Sequence, residues 1–326
     1  MVNVVGIDVS KDSLDVVLVK DGRKHHKVFR NSQVGHKRMQ NWLVSREAGQ
    51  VHACLEATGQ YGERISEYLY QCGHQVSVVN PARIKRYGES KLHRNKTDKA
   101  DAALIAEFCQ KEQPHLWHPL PEPVQHLRSL VRRLDDLQNN LQQERTRLQA
   151  CVRNPWVLAD LQAHLDDLQA RIIAVRQAIQ QHIDQNPDLK SQQDLLTSIP
   201  GIGQLTAASL LAEIGDISAF DSAPQLAAYA GLNPMGSRSG SSVLKKTRIS
   251  KQGRAFLRKL LYMPALVARK HNPVIHQFCL RLAQRKLPEM AIVAAAMRKL
   301  LHIAFGVLKN QLPFDPNYGK QFDFST

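Results

Sequence analysis

From Leu158 onward the chain repeats apolar residues at spacings of three and four: Leu158, Leu161, Leu165, Leu168, Ile172, Val175 and Ile179. Only a long α-helix stacks such a series into one seam, and so narrow a seam needs a partner helix to cover it. Leu127, Leu130, Leu134, Leu137, Leu141 and Leu148 repeat the pattern less perfectly, with Glu144 where an apolar residue is due. Pro155, in "RNPW", breaks the helix between the two series. Residues 124–183 therefore read as an antiparallel helical hairpin, or as an arm that pairs with another protomer. Nothing chemical is visible there, and a spacer or oligomerisation element is the simpler role.

The seam divides the chain. Ahead of it, "VNVVGIDVS" and "LDVVLVKDG" read as a hairpin and "RKHHKVFRN" as a third strand. A helix around "GHKRMQNWLVSR" leads to the strand "VHACLEAT". A second, near "YGERISEYLYQCG", ends on Gly73 and precedes the strand "HQVSVVN", closed by Pro81. These elements predict a mixed sheet flanked by helices. After "DQNPDLK" comes a mostly helical region opening on "IPGIG", where Gly201 and Gly203 form a tight turn. Such a turn either presents backbone N–H groups to a phosphate, as in a helix-hairpin-helix element, or merely joins two helices. A loop, "NPMGSRSGSSVLKKTRISKQG", follows, then basic helices from Arg254 to about Lys309. The expected domains are 1–115, an α/β catalytic domain; 120–190, the coiled-coil arm; and 191–326, a mostly α C-terminal domain.

Charge narrows the partners. The 326 residues carry a net formal charge of +15. Between Ser237 and Asn310 there are sixteen Lys or Arg and a single acid, Glu289. A field of one sign on that scale attracts polyanions, of which nucleic acid is the commonest. The longest apolar run, Met290 to Met297, is too short to span a bilayer, and the N-terminus reads straight into a strand. Five scattered cysteines without a CxxC pair argue for a reducing compartment and against zinc. A cytoplasmic, nucleoid-associated protein without membrane partners is expected.

Against that basic background the acids stand out. Asp98 and Asp101, in "NKTDKADA", follow Thr97, which reads as a helix N-cap. Three residues of α-helix turn through about 300°, so the two carboxylates share a face. Asp8 lies at the end of one apolar strand and Glu56 at the end of another. Taken singly, Asp8 could cap a turn, and either helix acid could be a solvated charge. Brought together, four carboxylates repel one another unless a cation neutralises them. Hard oxygen ligands in this number suit Mg²⁺ or Mn²⁺, which can align attacking and leaving oxygens across a phosphodiester. Arg83, Lys85, Arg86, Lys91, Arg94, Lys96 and Lys99 would hold the polyanion against those acids. Gly201, Gly203, Lys245, Lys246, Arg248, Lys251 and Arg254 are further candidate nucleic-acid contacts.

Several of these stretches share one resemblance. "GIDVSKDSLDV", "EATGQYGE", "VVNPARIKRY" and "RNKTDKADA" resemble the RuvC-like, RNase H-type domain of the DEDD insertion-sequence transposases. "IPGIG", "YAGLNP", "SGSS", "RISKQG" and "LYMPALVA" resemble the C-terminal domain of the same family. The resemblance implies a serine recombinase guided by a structured non-coding bridge or seek RNA, acting on donor and target duplex DNA as a dimer or tetramer. It places the four acids, with Mg²⁺, on Asp8, Glu56, Asp98 and Asp101, and the nucleophile on Ser239. It implies that acids and serine act as one composite site, within or between protomers. From the residues alone, Ser237, Ser239, Ser241 and Ser242 remain alternatives in one loop that contains no histidine to activate a hydroxyl. Two other readings stand beside this one. A metal-dependent, structure-selective nuclease resembling a Holliday-junction resolvase would need only the acids, and a nucleic-acid scaffold would need neither acids nor serine.

Overall fold

The computed structural model describes residues 3–57, 59–91, 97–150, 153–235, 238–239, 243–244 and 248–317. The chain divides into two units, Met1–Pro119 and Leu120–Thr326.

The first unit is built on β1 (Asn3–Val9), β2 (Ser13–Lys20), β3 (Arg23–Arg30), β4 (Val51–Glu56) and β5 (Gln75–Val79). They form one sheet in the order β3-β2-β1-β4-β5. The first three strands run antiparallel as a meander, while β4 and β5 join parallel to β1. This is the mixed α/β, RuvC-like arrangement expected of an RNase H-type domain. Central β1 is covered on both sides and so reads as an almost unbroken apolar run, Val4 to Ile7. Helices α1 (Gln33–Ser45) and α2 (Gln60–Gln71) cover one face, burying Met39, Trp42, Leu43, Ile65 and Leu69 against Val5, Ile7 and Leu14. Helices α3 (Pro81–Ser90) and α4 (Asp98–Glu112) cover the other, burying Ile84, Ile105 and Phe108 against Val4, Val17 and Val79.

The pattern of the sequence ends β5 at Pro81 and opens no helix there. The structure starts α3 on that proline, with the Asn80 side chain accepting the Ala82 amide at 2.9 Å. Proline lacks an amide hydrogen that the first helical turn would leave unpaired anyway, so it begins a helix as readily as it ends a strand. At α4 the expected cap is present: Thr97 Oγ1 accepts the Ala100 amide at 3.2 Å.

In the second unit α5 (Glu122–Gln149) and α6 (Pro155–Asp184) lie antiparallel. Glu144 of α5 faces His164 of α6, and His182 near the far end of α6 bonds the Pro123 carbonyl at 2.8 Å. Leu127, Leu134, Leu137, Leu165, Leu168, Ile172 and Ile179 close the seam. Glu144 is buried there and pairs with Arg147 at 2.6 Å. Next come α7 (Pro187–Thr197), α8 (Gln204–Ile214), α9 (Ala223–Tyr229), α10 (Ala255–His271), α11 (Pro273–Gln284) and α12 (Glu289–Asn310). Every residue of α8 from Ala207 to Ile214 is buried, which makes it the central helix of this core. α12 is long and apolar enough to cross a membrane, yet its Ile292, Val293, Ala296, Leu300 and Leu301 pack into the same core.

Four short strands follow α9 among the described residues. β6 (Pro234–Met235) pairs antiparallel with β9 (Arg248–Ile249), and β7 (Arg238–Ser239) with β8 (Val243–Leu244). The alternation is too short, and too diluted with glycine and serine, to announce strands in the sequence.

Candidate active site

Gly6 explains why α4 stands where it does. Alternate residues of a strand share a face, so β1 presents Val4, Gly6 and Asp8 together toward α4. A Cβ at Gly6 would run into the Ala102 carbonyl oxygen and the Ala106 backbone. The missing side chain lets the helix backbone rest directly on the strand, and this brings the first turn of α4, with Asp98 and Asp101, close to Asp8. Gly6→Ala is expected to cost about 3 kcal/mol by overpacking, measured by urea unfolding.

Asp8 is half-buried, and its carboxyl is pushed above the usual range. Burial is the largest cause, followed by the negative charges of Asp101, Asp98 and Asp15; the Val9 amide opposes them. Three neighbouring carboxylates thus add to burial in raising the Asp8 pKa. Asp98 and Asp101 lie in the first turn of α4, at its N-terminal end. Glu56 ends β4 on the same face, one step beyond the Ile7–Leu55 pair that sets β4 beside β1. Its charge does not figure among those acting on Asp8, but it acts with that of Arg83 on the thiol of Cys54. Among the described residues no three His, Cys, Asp or Glu side chains close tightly enough to hold one ion. Asp8, Asp98 and Asp101 therefore approach as a loose group. The donor set is all carboxylate, and the raised pKa of Asp8 marks an excess of negative charge, so the residues fit a hard divalent cation.

One acid escapes a reading by motif. Asp15 of β2 stands directly across from Asp8 in the antiparallel register and is only 9% exposed, bonded to His26 Nε2 at 2.8 Å. The signal was available, because Asp15, Val17 and Val19 alternate on one face of β2. What the sequence does not show is the register that sets Asp15 opposite Asp8.

The basic approach is partly engaged with the protein itself. The Arg83 guanidinium lies over the Phe108 ring at 5.4 Å, and Lys91 lies over Tyr87 at 5.7 Å. Lys91 also pairs with Glu107 at 2.9 Å, Lys111 reaches the same oxygen at 3.4 Å, and Tyr87 donates to it at 3.2 Å. Lys85 and Arg86 are exposed on α3. Arg94 and Lys96 lie outside the described residues. The Lys91 bond, ahead of the other contacts, holds the Glu107 carboxyl down at about 2. A depressed acid stabilises the fold above its unfolded value, near 4.5, and loses that contribution as pH falls toward 2. Glu107→Gln should therefore lower stability by roughly 2 kcal/mol at neutral pH and flatten the acid limb between about pH 5 and 2, read by thermal melts across that range.

In the second unit Gly201 adopts φ +107°, and a Cβ there would meet the Ala268 backbone of α10, so this glycine permits a close helix contact. Gly203 is exposed at the N-cap of α8, with nothing near its Cβ position. Ser239 lies in β7, opposite Val243 of β8. Ser237, Ser241, Ser242, Lys245 and Lys246 lie outside the described residues. Arg248 and Lys251 are exposed, and Arg254 caps α10.

The mixed sheet in the order β3-β2-β1-β4-β5, with acids at its strand ends, is the arrangement expected of a RuvC-like, RNase H-type domain. A family model for DEDD transposases of the IS110 type matches residues 5–156, and one described as Transposase IS116/IS110/IS902 family matches residues 193–280. The pilin gene-inverting protein of Moraxella bovis is 35% identical over 95% of this chain and 97% of its own length. The transposase for insertion sequence element IS1111A of Coxiella burnetii is 25% identical over 83% of this chain and 79% of its own. The solved structure of T. thermophilus RuvC in complex with a Holliday junction substrate aligns with 36% of this chain and 100% of its own. Its identity is 15% and its TM-score 0.25, too slight a likeness to carry weight. The chain belongs to the IS116/IS110/IS902 transposase family, whose enzymes cleave and rejoin DNA.

Proposed function

We propose that this chain is an RNA-guided recombinase of an insertion sequence, which exchanges DNA strands through a covalent bond to Ser239. The observation that carries the reading is the carboxylate group around Asp8, where burial and the charges of Asp101 and Asp98 leave negative charge for a cation to neutralise. Asp8, Glu56, Asp98 and Asp101 are the residues that would hold Mg²⁺ or Mn²⁺. Such an ion, when bound, supplies stabilisation for charge on phosphodiester oxygens.

Ser239 Oγ forms a bond to phosphorus as the bond from phosphorus to one DNA oxygen breaks, and the serine proton ends on the departing hydroxyl. The new phosphodiester keeps the energy of the old one. A DNA hydroxyl then attacks it, restores the serine and joins the strands without net hydrolysis. A relative named for inverting a pilin gene supports this balance, since inversion needs every cut to be resealed. The basic residues of α3 and of the C-terminal helices would hold duplex DNA and a structured guide RNA, whose phosphates reward the same charge. Dimers or tetramers would present two DNA partners together.

The test is incubation of the protein with its element-end DNA and Mg²⁺, followed by a denaturing gel. A protein–DNA adduct that needs the co-expressed element RNA is the expected result. Efficient recombination by RNA-free protein would overturn the guide, and products cut by water with no adduct would overturn the serine.

A further inference from the structure

Several cations of the helical unit are answered within the protein. Arg132 and Arg254 pair with Glu213 at 3.7 and 3.9 Å. Lys259 pairs with Asp135, and Arg269 with Glu289. Arg258 donates to the Ala230 and Gly253 carbonyls, and Lys309 to that of Phe220. Arg298 and Lys299, in the middle of α12, depart from that pattern. Both are half-buried, and among the described residues neither has a hydrogen bond or an ion pair.

Helix periodicity shows which way they face. α12 buries Val293, Ala296, Leu300, Leu301 and Ala304 in the core. Ala291, Ala295, Arg298, His302 and Gly306 recur at spacings of three and four and make up the face turned away from it, with Lys299 on the flank. Alanines precede Arg298 on that face. A Cβ at Gly306, one turn beyond His302, would meet nothing within 4 Å. Small residues thus leave room on both sides of the cations for a bulky partner.

Two nitrogens of this face, Arg298 Nε and His302 Nε2, are shut off from solvent without a hydrogen bond. Burial, then the charges of Arg298 and Lys299, push the His302 pKa below its ordinary 6.5, and no carboxylate is among the charges acting on it. A structural arginine would be held by a carbonyl or an acid, as Arg258 and Arg269 are; Arg298 has neither. Half-burying cations without a partner is unfavourable, and an arriving anion offsets it. A guanidinium and an ammonium side by side suit the oxygens of a phosphodiester. A second copy of this chain, with its net formal charge of +15, would be repelled before it could be held. DNA, which the enzymes of this family cleave and rejoin, offers a phosphate at every step.

We propose that Arg298 and Lys299, with His302 one turn on, bind backbone phosphates of duplex DNA along the outer face of α12. The site rests on the reading of this chain as a DNA recombinase and needs neither the guide RNA nor Ser239. Its test is the affinity of the full-length protein for labelled duplex DNA across a series of KCl concentrations. R298Q/K299Q should bind at least tenfold more weakly at about 0.1 M salt, with the slope of log K against log[salt] shallower by about two. R285Q/K286Q removes the same charge from exposed positions after α11 and is the comparison. A loss in R298Q/K299Q no larger than in R285Q/K286Q overturns the site.

Gly306→Glu probes the same face without touching the cations. A side chain has room there, and replacing a mid-helix glycine favours the helix, so the variant should melt no lower than the wild type. Its acid, one turn from His302, should weaken duplex binding by roughly fivefold or more. Unchanged binding overturns the site, and this variant decides alone if R298Q/K299Q fails to fold. Loss of binding to structured RNA with duplex binding intact overturns the assignment to DNA. A normal adduct with unchanged duplex binding by R298Q/K299Q sinks this site and leaves Ser239 standing. Weakened duplex binding in a protein that never forms an adduct does the reverse.

Discussion

Ser239→Ala is expected to abolish the covalent protein–DNA adduct and to reduce recombination by on the order of a thousandfold or more, as removal of a nucleophile does. The same variant should bind duplex DNA, RNA and Mn²⁺ as the wild type does. Losing one hydroxyl from a segment rich in serine and glycine is expected to cost little stability, within about 0.5 kcal/mol. Lost activity in a normally melting protein therefore reports chemistry. Ser237→Ala, Ser241→Ala and Ser242→Ala are the controls, since they share the segment, its charge and the size of the change. An adduct that survives Ser239→Ala and disappears in Ser241→Ala moves the nucleophile by two residues and keeps the mechanism. Normal nicking by all four variants, with no adduct at any time, replaces the serine mechanism with attack by water, as in a junction resolvase.

Asp101→Ala and Asp98→Ala should each abolish strand cleavage while leaving folding and duplex binding close to normal. The first turn of α4 loses one favourable charge–dipole interaction, typically about 0.3–1 kcal/mol. Against that, one member of a mutually repelling group is gone. Removing the Asp101 charge should also bring the Asp8 pKa down toward its ordinary value of 3.8, because that charge is its largest coulombic perturbation. This shift can be followed by carboxyl NMR, and a passive surface charge would not produce it. Mn²⁺ binding, read by calorimetry, should weaken in parallel with activity. Full recombination by either variant would sink the metal assignment, and unfolding of both would make the acids structural.

Both expectations join residues far apart in the chain, and the sequence makes some of those joins visible and hides others. The five strands of the N-terminal sheet, the paired long helices and the Thr97 cap are all legible. Each depends on residues two, three or four positions apart, and burial on one face enforces that spacing wherever the element packs. Glu144 could be picked out as an irregular seam position, but not its bonds to Arg147 and His164. α3 was hidden because Pro81 is compatible with both a strand end and a helix start.

Tertiary structure decided the rest. Gly6 is an unremarkable glycine in "VVGIDV" until α4 lies on it, and only that close crossing determines which carboxylates share a field. Asp15 becomes a neighbour of Asp8 through the antiparallel register of β1 and β2. Glu213 gathers Arg128, Arg132 and Arg254 from positions 85, 81 and 41 residues away in the chain. The composition of the sequence determined that this protein attracts polyanions, and its periodicities determined which elements form. Which charges meet depended on register and on helix crossings. Those are set by the packing of the whole core, and no local stretch of sequence carries them.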